Sequence, residues 1–233
     1  MLELDAVNSF YGKAHILFDV SFSVGRGEAV ALLGRNGAGK STVLKSVLQL
    51  VRPESGKVLF EGRDITKLPP HRIARMGLGY VPEERRIFAD LTVSENLEVG
   101  RQPPRDGLPI WTPERLFELF PNLAERRNAI GGTLSGGEQQ MLTIARTLMG
   151  NPRLLLLDEP SEGIAPVVVE QMAGAIRRLK NAGVTVLLSE QNLRFARTVS
   201  DRALIIDSGH IRFDGSFAAL DTDAGISSSY LAV

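Results

Sequence analysis

Apolar and polar residues alternate early in the chain, with Val20, Phe22 and Val24 set against Asp19, Ser21 and Ser23. A period of two predicts a half-buried strand of an antiparallel sheet. Gly25 to Gly27 supplies a turn, and the unbroken run Ala29-Val30-Ala31-Leu32-Leu33 predicts a strand buried on both faces. From about Lys40 the period becomes helical, with Val43, Leu44, Val47, Leu48 and Val51 on one side and Pro53 as the stop. Lys57 to Phe60 and Gly79 to Val81 predict further strands.

Between about Arg85 and Gly150 the texture changes. Thr112-Pro113-Glu114 is a helix start, combining a cap, a proline in the first turn and an early acid. Pro121 interrupts the apolar residues that follow it. A second helix is predicted over Glu138 to Met149, with Met141, Ile144, Ala145, Leu148 and Met149 on one face. After Pro152 strands return at Leu154 to Leu157, Val184 to Leu188 and Ala203 to Ile206. Between the first two lies a helix marked by Val168, Met172, Ala175, Ile176 and Leu179 and ended by Gly183. Such alternation argues an α/β fold with a mostly parallel sheet. The expected organisation is a core lobe of residues 1–84 and 151–233, with an antiparallel β part near the N-terminus and an inserted α-helical subdomain at about 85–150.

Composition narrows the function. The chain has 27 basic and 27 acidic residues, so it lacks the net positive field of a general nucleic-acid binder. It has no cysteine, which removes disulfides, thiolate nucleophiles and cysteine zinc sites together. Three scattered histidines (His15, His71, His210) do not form a metal cluster in sequence. Glu3 and Asp5 stand where a secretion signal needs a basic start, and no apolar run approaches the roughly 18 residues that span a bilayer. Any membrane role is therefore expected to come through a partner.

Three motifs carry chemistry. Gly34-Arg35-Asn36-Gly37-Ala38-Gly39-Lys40-Ser41, followed by Thr42, fits a phosphate loop between a buried strand and a helix, which points to a P-loop NTPase core. Its glycines let backbone N–H groups converge on phosphate oxygens. Lys40 brings charge to the β- and γ-phosphates and Ser41 a hydroxyl to Mg²⁺. The strand Leu154 to Leu157 runs into Asp158 and Glu159; Asp158 suits the Mg²⁺ shell and Glu159 the orientation of an attacking water. Leu134-Ser135-Gly136-Gly137-Glu138 opens a helix and is either a cap or a second anion site. One nucleotide does not need two such helix ends, so the economical reading gives the second to a nucleotide on another copy.

In chain order (phosphate loop, Leu134 to Glu138, then the strand ending at Asp158-Glu159) the three motifs resemble the ATPase subunit of ABC transporters, over essentially the whole chain. Tyr80-Val81-Pro82-Glu83, Leu91 to Leu97, Glu138 to Met141, Gly163-Ile164-Ala165-Pro166 and Glu190-Gln191-Asn192 make it most similar to the smaller ATPase of branched-chain amino-acid importers. The resemblance implies that Tyr11 stacks on adenine, and that Ser135 and Gly137 bind the γ-phosphate across a head-to-tail dimer. It further implies that Gly163 to Pro166 runs between the two sites. Glu83 stands where most of the superfamily has a glutamine that touches Mg²⁺, and Gln191 where most have a histidine. Because a glutamine side chain carries no proton to exchange, Glu159 is left as the base.

The implied partners are a second ATPase subunit (this chain or a related one), transmembrane permease subunits and, indirectly, a solute-binding protein, with ATP and Mg²⁺ as cofactors. The implied place is the cytoplasmic side of the cell membrane. A urea or amide importer and a soluble ABC ATPase are the alternatives. Against the soluble class stand the missing heptads between Lys40 and Leu134 and the single set of motifs. A guanine-reading switch would need an Asn-Lys-x-Asp motif, which the chain lacks.

Overall fold

In the computed structural model, which describes residues 1–222, the chain opens on β1 (Leu2–Tyr11), β2 (Ala14–Val24) and β3 (Ala29–Leu33), followed by α1 (Lys40–Val47). Next come β4 (Pro53–Phe60), β5 (Arg63–Asp64), α2 (Pro70–Arg75) and β6 (Leu78–Val81). The stretch before the next strand is helical: α3 (Val93–Val99), α4 (Pro113–Leu119), α5 (Pro121–Glu125), a 3₁₀ turn at Gly131–Thr133 and α6 (Gly136–Leu148). β7 (Leu154–Asp158), α7 (Pro166–Asn181), β8 (Thr185–Glu190), α8 (Leu193–Val199), β9 (Arg202–Asp207), β10 (His210–Ser216) and α9 (Phe217–Thr222) complete the described chain.

Two sheets result. An antiparallel one has the order β2-β1-β4-β5, and a six-stranded one has the order β10-β9-β3-β8-β7-β6. In the second, β9, β3, β8, β7 and β6 run parallel and only β10 is antiparallel. The unbroken apolar strands follow from this position, because both faces of the sheet are covered. Ala29, Ala31, Leu33, Leu155, Leu157, Val186 and Leu188 enter one core with α3 to α8. Val30, Leu32, Leu154, Leu156 and Leu187 enter the other, with α1 and the antiparallel sheet. Each fully buried leucine contributes about 1.5–3 kcal/mol.

The helix from Lys40 is shorter than its apolar pattern predicts. It ends at Val47, because Gln49 takes a left-handed φ of 59° and the Leu50 and Val51 N–H groups both return to the Lys45 carbonyl, at 2.9 and 3.2 Å. Leu48 and Val51 are still buried, so the pattern reports their burial but not the turn that breaks the helix before them. Conversely, α3 carries no long periodic run. It is fixed by a capping box in which Thr92 accepts from the Glu95 N–H and Glu95 accepts from the Thr92 N–H.

The carboxyl ends of β3, β8 and β7, adjacent and parallel, lie along one edge. That edge is where ligands of open α/β sheets sit.

Candidate active site

The loop Gly34 to Gly39 leaves β3 and enters α1 without room for ordinary side chains at two points. A Cβ at Gly34 would overlap the Ile206 carbonyl oxygen of β9. Gly39 has φ +111° and lies against Leu17 of β2, 3.0 Å from where its Cβ would be. The loop is also tied to the strand turn by the Gly209 N–H, which donates to Ala38 at 2.9 Å.

Inside this turn Lys40 is curled back. Its ammonium donates to the Gly34 and Arg35 carbonyls at 2.7 and 3.0 Å and meets Glu159 Oε1 at 2.9 Å. The two side chains are only 4% and 5% exposed, so this is a buried ion pair. Asp158, at the end of β7, is held by three hydroxyls. Ser41 and Ser189 donate to Oδ1 at 2.9 and 2.7 Å, and Tyr80 donates to Oδ2 at 2.9 Å. Glu159 follows in a left-handed conformation at φ 46°, its N–H directed at the Ser189 carbonyl and hydroxyl, 3.2 and 3.1 Å away. Non-glycine residues held so are frequent at reacting positions. Burial raises the pKa of the Glu159 carboxyl; Lys40 opposes that rise, and the Glu162 and Asp158 carboxylates add to it.

Gln191, one residue past β8, donates through Nε2 to Asn36 Oδ1 at 2.7 Å and so touches the phosphate loop. Glu83 is exposed beyond β6, its carboxyl pushed up by partial burial and by Glu162, Asp158 and Glu84. Thr42 is buried behind Ser41 in α1. Tyr11 is half exposed at the β1–β2 turn. Beside it runs a ladder that the sequence did not reveal: Phe10 stacks on His15 at 4.0 Å, His15 meets Phe18 at a tilt with centroids 3.8 Å apart, and Phe18 stacks on His210 at 4.8 Å.

Ser135 and Gly137 lie at the start of α6. Ser135 caps α6 in a capping box with Glu138, and the space beside Gly137 is filled by Ile164 and Val168.

Sequence reasoning also passed over Tyr80 and Ser189 as partners of Asp158, and over the role of Glu190. Glu190 is buried at the end of β8 and accepts from the Ser161 and Asn192 N–H groups at 3.0 and 3.2 Å. It thereby ties the turn after Glu159 to the segment carrying Gln191. Burial pushes its carboxyl from 4.5 to about 7. A carboxyl raised on folding binds its proton more tightly in the native state, so stability is highest at low pH and falls as pH rises from about 4.5 through 7. The loss is on the order of 3 kcal/mol. Urea denaturation of the nucleotide-free chain should accordingly give a lower midpoint at pH 8 than at pH 5, and Glu190→Gln should flatten that slope. An unchanged slope in the variant would remove Glu190 as its source.

As for a metal, no three His, Cys, Asp or Glu side chains among the described residues converge to hold one. Asp158 with the Ser41 hydroxyl is an oxygen-only, incomplete donor set. That suits Mg²⁺, which keeps few protein ligands and takes the rest from phosphate and water.

A curled loop with a buried lysine, opposed by two acids at a neighbouring strand end, is the apparatus of nucleoside triphosphate hydrolysis. The comparisons with known proteins refine that class. The ABC transporter family pattern matches residues 17–162. BraG of Pseudomonas aeruginosa, a high-affinity branched-chain amino acid transport ATP-binding protein, is 44% identical over 99% of both chains. LptB of Haemophilus influenzae, a lipopolysaccharide export system ATP-binding protein, is 39% identical over 95% of this chain and 92% of its own. Among solved structures, the ADP conformation of the ATP-binding cassette MJ1267 superposes with a TM-score of 0.82 at 26% identity, over 98% and 97% of the two chains. The dimeric structure of the bacterial ABC transporter cassette MJ0796 gives 0.80 at 25% identity, over 93% and 98%. The chain belongs to the ABC transporter family: it is a transporter ATPase that binds and hydrolyses ATP.

Proposed function

We propose that this ATPase drives import of branched-chain amino acids. The supporting observation is the similarity to BraG, 44% along the full chain. The similarity to LptB, at 39%, supports export of a lipid as the second reading. Among the described residues no helix is long and apolar enough to cross a membrane. The solute is therefore expected to pass through permease subunits, with this chain attached to their cytoplasmic side.

In this reading two ATPase subunits close head-to-tail around two nucleotides. Ser135 and Gly137 of each approach the γ-phosphate held by the other, and the dimeric structure of the similar cassette MJ0796 supports such pairing. Residues 85–150 act as the helical subdomain that carries them. Tyr11 and the neighbouring strand turn take the adenine. Ser41 and Asp158, with Glu83 close by, would hold Mg²⁺, which supplies neutralisation of the β- and γ-phosphate charge.

The remaining steps belong to the chain itself. Lys40 is engaged by Glu159 and two loop carbonyls. Phosphate oxygens compete for the same ammonium, so binding withdraws Lys40 from Glu159. The released carboxylate then orients and polarises water. Gln191, already against Asn36, adds a neutral hydrogen bond to the γ-phosphate.

The permease contact falls in a groove of about 640 Å³ flanked by α2, β6 and the helical segment. Leu50, Phe88 and Val99 are 54%, 46% and 53% exposed there, an apolar patch suited to a docked helix.

The test is to purify the chain with its membrane and solute-binding partners and follow phosphate release in proteoliposomes. Stimulation by a leucine-loaded binding protein is expected. Stimulation by urea or an amide, or coupling only to lipopolysaccharide extraction, would overturn the import reading.

A further inference from the structure

The groove and the acid at the end of β7 share one side chain. Tyr80 lies on β6, where it pairs with Leu156 of β7. It lines the groove, while its hydroxyl reaches through to Asp158 Oδ2 at 2.9 Å. We infer that Tyr80 is a positioning residue for Asp158, through which an occupant of the groove is felt at the metal-binding acid. This rests on the reading of Asp158 as the Mg²⁺ acid and of the groove as the permease contact.

Hydrogen-bond accounting singles Tyr80 out. Asp158 is 2% exposed, and its Oδ1 already receives Ser41 and Ser189. Oδ2 receives only Tyr80 among the described residues. A cation can take a lone pair of Ser41 while the hydroxyl hydrogen still points at Asp158, so Ser41 supports the carboxylate from the phosphate-loop side. Away from that side, the carboxylate is oriented by Ser189 from β8 and by Tyr80 from β6. Ser189 is wholly buried within the sheet, whereas Tyr80 is half-buried and meets the groove. Of the two supports, only Tyr80 is within reach of a partner.

The phenol is well suited to this. It swings on two torsions only, so displacement of the ring moves the hydroxyl with it. A segment pressed into the groove therefore shortens or breaks the bond to Oδ2 and changes how Asp158 faces the phosphate loop.

Tyr80→Phe keeps the ring and deletes the bond. In the isolated full chain, Mg²⁺ is titrated against binding of a fluorescent ATP analogue, with a parallel measurement in EDTA. The variant should need about 10-fold more Mg²⁺ for half-maximal enhancement of binding, as for loss of a group that orients a metal ligand. Binding in EDTA should be unchanged. Asp158→Asn should abolish the Mg²⁺ response altogether. If it does not, the assignment of Asp158 fails; if it does and Tyr80→Phe matches wild type, the role of Tyr80 fails.

Ser189→Ala carries the transmission step. It removes a donor to Asp158 without touching the groove, so it should raise the Mg²⁺ requirement yet leave the fold-stimulation by assembled permease intact, whereas Tyr80→Phe should reduce that stimulation. Equal stimulation in both variants would overturn the link to the groove.

Discussion

Replacing Glu159 by glutamine should stop steady-state ATP hydrolysis while leaving ATP bound. The carboxylate is buried at the end of β7 beside Lys40 and Asp158, where the proposed attack on the γ-phosphate would take place. Removal of a general base costs about 10²–10⁴-fold in rate. The amide preserves shape and a neutral contact to Lys40, so nucleotide affinity should be retained or increased. With hydrolysis blocked, the ATP-closed pair should accumulate and elute as a dimer in the presence of Mg²⁺. Gln191→Ala should be milder, because Gln191 offers one neutral hydrogen bond from an exposed position against Asn36. Phosphate release measured in the two variants decides the matter. A larger loss in Gln191→Ala than in Glu159→Gln would move the base away from Glu159.

Much of this site was legible in the chain because its parts are contiguous. The phosphate loop, Asp158 and Glu159 each follow an apolar run, and a run buried on both faces can only be an interior strand whose end opens on a sheet edge. The strand at Ala29 to Leu33 appears with the limits its composition predicts. What was not legible comes from elements far apart in sequence. Tyr80 and Ser189 reach Asp158 across separations of 78 and 31 residues. Neither residue type marks a motif, and only the parallel order of β6, β7 and β8 brings them to one carboxylate. Glu190 looked like part of a family signature, whereas its burial and its two backbone donors depend on the turn after Glu159. Local chemistry was likewise misjudged where periodicity spoke louder than backbone. Apolar residues past Val47 continued the helical pattern, but Gln49 in a left-handed conformation ended the helix.

Lys40→Ala should produce the second large effect, and on two quantities at once. Among the described residues the ammonium is the only cation paired with Glu159, at 2.9 Å, with both side chains 5% exposed or less. Deleting it removes the charge offered to the β- and γ-phosphates, so ATP binding should fall beyond detection at concentrations that saturate wild type. It also leaves Glu159 buried without a counter-charge, a loss of about 3 kcal/mol by the usual cost of breaking a buried pair from one side. The stability loss depends on pH in a defined direction. Burial already raises the Glu159 carboxyl, and without Lys40 it rises further. At low pH the unpaired carboxyl is protonated in the folded chain and the penalty disappears; as pH rises through that elevated value the penalty returns in full. Lys40→Ala should therefore fall progressively further below wild type in urea as pH rises. Adding Glu159→Gln should restore stability at pH 8 without restoring ATP binding, because the second change removes the stranded charge but supplies no cation. Nucleotide titration calorimetry and urea denaturation on the three variants separate the two effects. If the double variant remained as unstable as Lys40→Ala, the lysine would be acting through the Gly34 and Arg35 carbonyls instead, and the resting pair with Glu159 would not be what nucleotide binding has to break.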